Sequence, residues 1–93
     1  MANDFDTVNA LESLVLDTRG DMLTIPGHVA VAVANEVRSV IRLTGVVVNY
    51  SADIAAYNPD PLFVEDYMLS RKDALGIIWE IKTMRERYQG EIA

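Results

Sequence analysis

Apolar residues recur along this chain in steps of three and four. Near the start, Phe5, Val8, Leu11, Leu14 and Val15 follow that spacing, the stripe that an amphipathic helix turns toward a core. Asp4 or Asp6 stands where an N-cap accepts amide hydrogens, and Gly20 offers a left-handed stop. A first helix is therefore predicted over about 6–18. The segment DTRGDMLT reads as a connector, and TIP sets up the next helix start. There Thr24 or Ile25 is the cap, and Pro26 occupies the first turn, where its missing N–H costs nothing.

From residue 26 to 58 the local signals conflict. HVAVAVA alternates as a strand does, and GVVVNY is a β-branched run after a glycine. Over a longer window, however, Ala30, Val33, Val37, Val40, Thr44, Val47, Ser51 and Ile54 keep a helical seam. One long helix over about 26–57 is the reading adopted. The competing pattern is a helix broken at Gly45 and followed by a short strand at 46–50.

After NPDP the same rhythm returns in Phe63, Tyr67, Ser70, Ala74, Ile77, Ile81, Met84 and Tyr88. Asp60 is placed to cap, Pro61 to open the helix and Gly90 to end it, giving a third helix over about 61–89. A restart inside it is also legible, because Ser70 and Asp73 have capping-box spacing. If the two long helices fold back about residues 58–61, seam residues pair with a nearly constant index sum, from Ile54 with Phe63 to Ala30 with Tyr88. The pairs also compensate in size, with Tyr67 facing Ser51 and Thr44 facing Ala74. The predicted fold is one all-α domain over residues 1–93, a short N-terminal helix packed on a long antiparallel helical hairpin.

Composition narrows the function. With 93 residues and half of them hydrophobic, the chain suits one ordered domain with a modest core. It has no cysteine and one histidine, which removes disulfides and thiolate chemistry and leaves little for a metal site or a Ser-His relay. His28, near a helix start, reads as a surface residue, and adjacent acids such as Glu65 and Asp66 read as a solvated face. The five glycines are isolated, so no phosphate-binding loop is present. No catalytic residue, metal or cofactor is expected. The acidic N-terminus lacks the features of a signal peptide, and no apolar run is long enough to span a bilayer, so a cytoplasmic protein without a membrane segment is expected. NYS at Asn49 matches a glycosylation sequon by coincidence on that reading.

Charge bears on partners. The net charge is -6, and residues 1–21 carry five acids against Arg19. Only RK at 71–72 and RER at 85–87 approach a basic cluster, so direct nucleic-acid binding is not expected. The acidic segment suits steering toward a basic partner.

The seam leaves apolar surface over: Ile41 and Val48 on one flank of the second helix, Leu43, Tyr50 and Tyr57 on the other, and a stripe of Met68, Leu75 and Trp79 on the third. One short helix cannot cover all of these. Self-association and a protein partner are therefore expected, with Met68, Leu75, Trp79, Leu43 and Tyr50 as the contact residues. A non-catalytic adaptor, assembly component or small acidic inhibitor is the function this implies. The alternative is a site for a small anion or nucleotide, completed at an oligomer interface, where Arg38 and Arg42, one turn apart, grip a phosphate or carboxylate.

Overall fold

The structure, a computed structural model, describes residues 6–45 and 48–92. Helix α1 (Thr7–Asp17) leads to strand β1 (Met22–Ile25) and helix α2 (Gly27–Thr44). A single turn, α3 (Ala52–Ala55), and a 3-10 turn (Pro61–Phe63) come next, before strand β2 (Tyr67–Ser70) and the long helix α4 (Arg71–Ile92). The fold is mostly helical with a two-stranded antiparallel ribbon, and the expected long helical hairpin is not what forms.

The hairpin fails at two places for two physical reasons. Gly45 adopts φ 70° and ψ 14°, and its N–H donates to the Ile41 carbonyl at 2.8 Å. That left-handed cap closes α2 at Thr44, well short of the expected end near residue 57, because a glycine there has no Cβ to oppose the conformation. The second failure is at residues 67–70, read as helix but forming a strand. Tyr67 and Ser70 satisfy a three-residue step by accident, since a four-residue strand is too short to display its own period. The segment DTRGDMLT is likewise more than a connector, for Leu23 pairs with Leu69, Met22 with Ser70, Thr24 with Met68 and Ile25 with Tyr67. Leu23, Ile25 and Leu69 face the core, while Met22, Thr24 and Met68 face out.

Several local readings hold. Asp6 caps α1, its carboxylate accepting from the N–H groups of Val8 at 2.9 Å and Asn9 at 3.1 Å. HVAVAVA is helical, burying Val29, Ala30, Val33, Ala34 and Val37 on one face. Ser70 accepts from the Asp73 N–H at 3.1 Å, so the restart at SRKD is the true beginning of α4. Asp60 and Pro61 do open a helical turn, but a 3-10 turn of three residues. Helix α4 runs on through Gly90. The readings placed on Asp4, Phe5 and Val47, and on the first part of 46–50, lie outside the described residues.

One core joins these elements. Val8 and Leu11 of α1, the inward residues of the ribbon, Ala30, Val33 and Val37 of α2, Ile54 of α3 and Ala74, Ile77, Ile78, Ile81 and Met84 of α4 are all buried together. Most of the expected seam residues are therefore interior; Phe63, at the bend, is exposed. NPDP lies within the loop from α3 to β2. That loop is closed at its base by Tyr57, whose ring meets Tyr67 edge-on at 5.0 Å and whose hydroxyl donates to the Glu65 carbonyl at 2.9 Å.

Candidate functional site

The charged side chains in and near the core hold helix ends. Glu80, 7% exposed on α4, accepts from three successive backbone N–H groups, Asn49 and Tyr50 at 2.9 and 3.0 Å and Ser51 at 2.8 Å. They belong to the turn that leads into α3, Ser51 being its N-cap. Burial pushes the Glu80 carboxyl up, but the amide hydrogens outweigh it and hold the group below the usual carboxylate range. The Ser51 hydroxyl lies close enough to favour the same charge, yet it meets no partner at hydrogen-bonding geometry. At the other end of α3, Arg38 donates to the carbonyls of Ala55 at 2.7 Å and Tyr57 at 3.0 Å and also bonds Asn35.

Arg71 does the same for α1. Its guanidinium donates to the carbonyls of Val15 at 2.8 Å, Thr18, and Gly20 at 2.8 and 3.1 Å. Arg85 ties the opposite end of α1 to α2 and α4: it forks onto Glu36 at 2.6 and 2.9 Å, reaches Asp6 at 3.2 Å and bonds the Thr7 hydroxyl, which itself donates to Glu36. Burial pushes Glu36 up, and the bonds from Arg85 and Thr7 bring it below its ordinary value. Asp6 is lowered too, its partial burial outweighed by the Asn9 amide and Arg85.

With the helix ends held this way, α4 and the turn before α3 border a shallow, open depression of about 580 Å³, lined by Asp21, Tyr50, Arg71, Lys72, Leu75, Gly76 and Trp79. Leu75 and Trp79 are one turn apart on α4, so they share a face, and they remain 51% and 66% exposed. Tyr50 is carried there by the Glu80 clasp on its own N–H and lies flat across Gly76. A Cβ at Gly76 would meet the ring at 2.2 Å; the missing side chain is what lets the aromatic reach the helix.

Of the five expected contact residues, the structure brings Tyr50, Leu75 and Trp79 together. Met68 lies on the outer face of the ribbon, bonded to Thr24, and Leu43 is exposed on the last turn of α2; neither lines the depression. The stripe from Met68 to Trp79 is broken because β2, not a helix, carries Met68. Arg38 has its fork turned to backbone carbonyls, while Arg42 is exposed on the last turn of α2.

Asp21 was not legible as a site residue, because its neighbours in the depression lie far away in sequence; Lys72 and Gly76 stand beside Leu75 on α4, but the pattern of apolar positions passes over a lysine and a glycine. A second depression, about 690 Å³, lies at the start of α2 beside His28, Val31, Asn35, Pro59, Pro61 and Asp66; His28 is exposed there.

Among the described residues no group of His, Asp and Glu is placed to hold a metal ion, and no helix is long and apolar enough to cross a membrane. Comparison with protein-family models, curated proteins and solved structures finds no match to this chain.

Proposed function

We propose that this chain is a non-catalytic interaction protein that associates with a second copy of itself through the depression formed by Tyr50, Leu75, Gly76 and Trp79. The observation that carries the reading is Trp79, two-thirds exposed on the wall of a concave apolar surface whose other wall is a tyrosine held by a buried carboxylate. Tryptophan and tyrosine in a preformed recess are the usual anchors of protein interfaces. The polar groups support the same reading from another direction. Asp6, Glu36, Glu80, Arg38, Arg71 and Arg85 all hold backbone or one another in fixed geometry, which leaves them unsuited to proton transfer.

Charge favours a second copy as the occupant. Asp21, Arg71 and Lys72 give the rim a net positive charge on a chain of net -6. A positive recess on an acidic protein is complementary to acidic surface, of which this chain has an excess.

Trp79 is the sole tryptophan, so its fluorescence reads the site directly. On raising the concentration from about 1 to 100 micromolar, a range suited to moderate affinity, its emission should shift to the blue as the sedimentation coefficient rises. Leu75→Glu should abolish both changes while the far-ultraviolet dichroism stays helical. Monomeric sedimentation with unchanged emission across the range would reject the reading.

A further inference from the structure

Besides the depression, the chain carries a projection. Leu62 and Phe63, on the 3-10 turn, are 83% and 71% exposed. Exposure of two adjacent large apolar residues has a structural cause. Asp60 caps the turn at the Leu62 N–H at 2.9 Å, and the Tyr57–Tyr67 contact closes the loop behind it. The turn is thus held outward as a shaped element. In the sequence NPDPLFVED, Asp60, Glu65 and Asp66 flank the apolar pair and no base is present; all three acids are exposed.

Projection and depression complement each other in shape and charge. One is apolar, convex and flanked by acids. The other is apolar, concave and bordered by Arg71 and Lys72, of which Lys72 is exposed. The two share no residue: Leu62 and Phe63 do not line the depression. Resting on the self-association proposed above, the geometry points to head-to-tail assembly, in which the Leu62–Phe63 turn of one copy enters the Tyr50–Leu75–Trp79 depression of the next and sets Glu65 or Asp66 near Lys72. Two copies that filled each other's depressions would close a symmetric dimer; in the head-to-tail arrangement each added copy instead leaves one projection and one depression unfilled, and the assembly grows into a ring or an open chain. A wild type that stops at two copies would overturn that growth.

Complementation between two variants tests this. Phe63→Asp removes the projection and keeps the depression, whereas Trp79→Glu does the reverse; both positions are exposed, so each variant should keep the wild-type dichroism. Leu62→Asp and Leu75→Glu serve as second members of each class. By sedimentation at about 100 micromolar, wild type should form species larger than a dimer, and each variant alone should be monomeric. An equal mixture should form a one-to-one dimer and nothing larger, since a single intact interface remains. If Phe63→Asp assembles as wild type does while Trp79→Glu is monomeric, the head-to-tail arrangement is overturned and association through the depression stands. Wild-type assembly by Trp79→Glu would overturn both, as would a monomeric wild type.

Discussion

Glu80 is a buried carboxylate that holds a turn of backbone. Its carboxylate satisfies three successive N–H groups of the turn that leads into α3 and ends at its N-cap, Ser51. The folded carboxyl titrates below its unfolded value of about 4.3, so its contribution is complete above that pH and fades as pH falls through the depressed value. Glu80→Gln should cost roughly 1–3 kcal/mol at pH 7, the range for a buried donor set losing a charged acceptor. It should also flatten the loss of stability between about pH 5 and 3, a window set by the same reference value; urea unfolding across that range checks both. Asp6 and Glu36 are lowered as well, so some acid sensitivity should survive in the variant. Arg71 makes a parallel case with the opposite charge. Arg71→Ala frees the carbonyls at the end of α1, and Arg71→Lys should recover less than half of the lost stability, because an ammonium cannot span the carbonyls that the planar fork reaches. Thermal unfolding of the two variants makes that comparison.

Which residues were legible from the sequence follows from how far each reaches. Asp6, Asp60 and Ser70 act on amides within three positions of themselves, and their roles could be read directly. Glu80 and Arg71 act on backbone 29 to 56 positions away, and local spacing carries no trace of that.

At the level of elements, the outcome turned on window length. Helix α2 is long enough for its period to override the β-branched propensity of HVAVAVA, and its buried face was read correctly as far as Val37. The strands have four residues each, which is too few for a period of two to outvote a period of three or four. Their pairing joins residues more than forty positions apart, so nothing near either one announces it. At Gly45 the seam continued through Ser51 and Ile54, both buried, but on a different element. Continuity of burial thus concealed a break in the helix. Gly45→Ala tests the break. An L-residue at φ 70° costs about 1–2 kcal/mol, so the variant should lose that much stability in denaturant titration, although alanine is the better helix former. Equal or greater stability would mean that the cap is not required and that the helix runs on.

For the whole molecule, the question is whether two copies carrying -6 each can approach. At a centre separation equal to the shortest dimension of the protein, 29 Å, Coulomb repulsion between two such charges in water is about 5 kcal/mol without screening. At 0.01 M salt the Debye length of roughly 30 Å leaves about 2 kcal/mol of it, whereas at 0.15 M the length of roughly 8 Å leaves about 0.1 kcal/mol. Each ion pair across the interface, such as Lys72 with Glu65 or Asp66, is worth at most about 1 kcal/mol at an exposed rim. At a spacing of about 4 Å it loses only some tenths of that over the same range of salt. Relief of the long-range repulsion therefore outweighs weakening of the local attraction. Self-association should tighten by roughly an order of magnitude or more between 0.01 and 0.15 M salt. Beyond that the repulsion is spent, and further salt should weaken the rim pairs until the apolar contacts of Trp79 and Leu75 carry the interface. Sedimentation at constant protein concentration and three ionic strengths reads the curve. Tightening on the first step supports contact between like-charged molecules through a small complementary patch. A steady weakening from the lowest salt upward would show that ion pairs between the copies outweigh their net repulsion, and would reject an interface carried by the apolar contacts of Trp79 and Leu75.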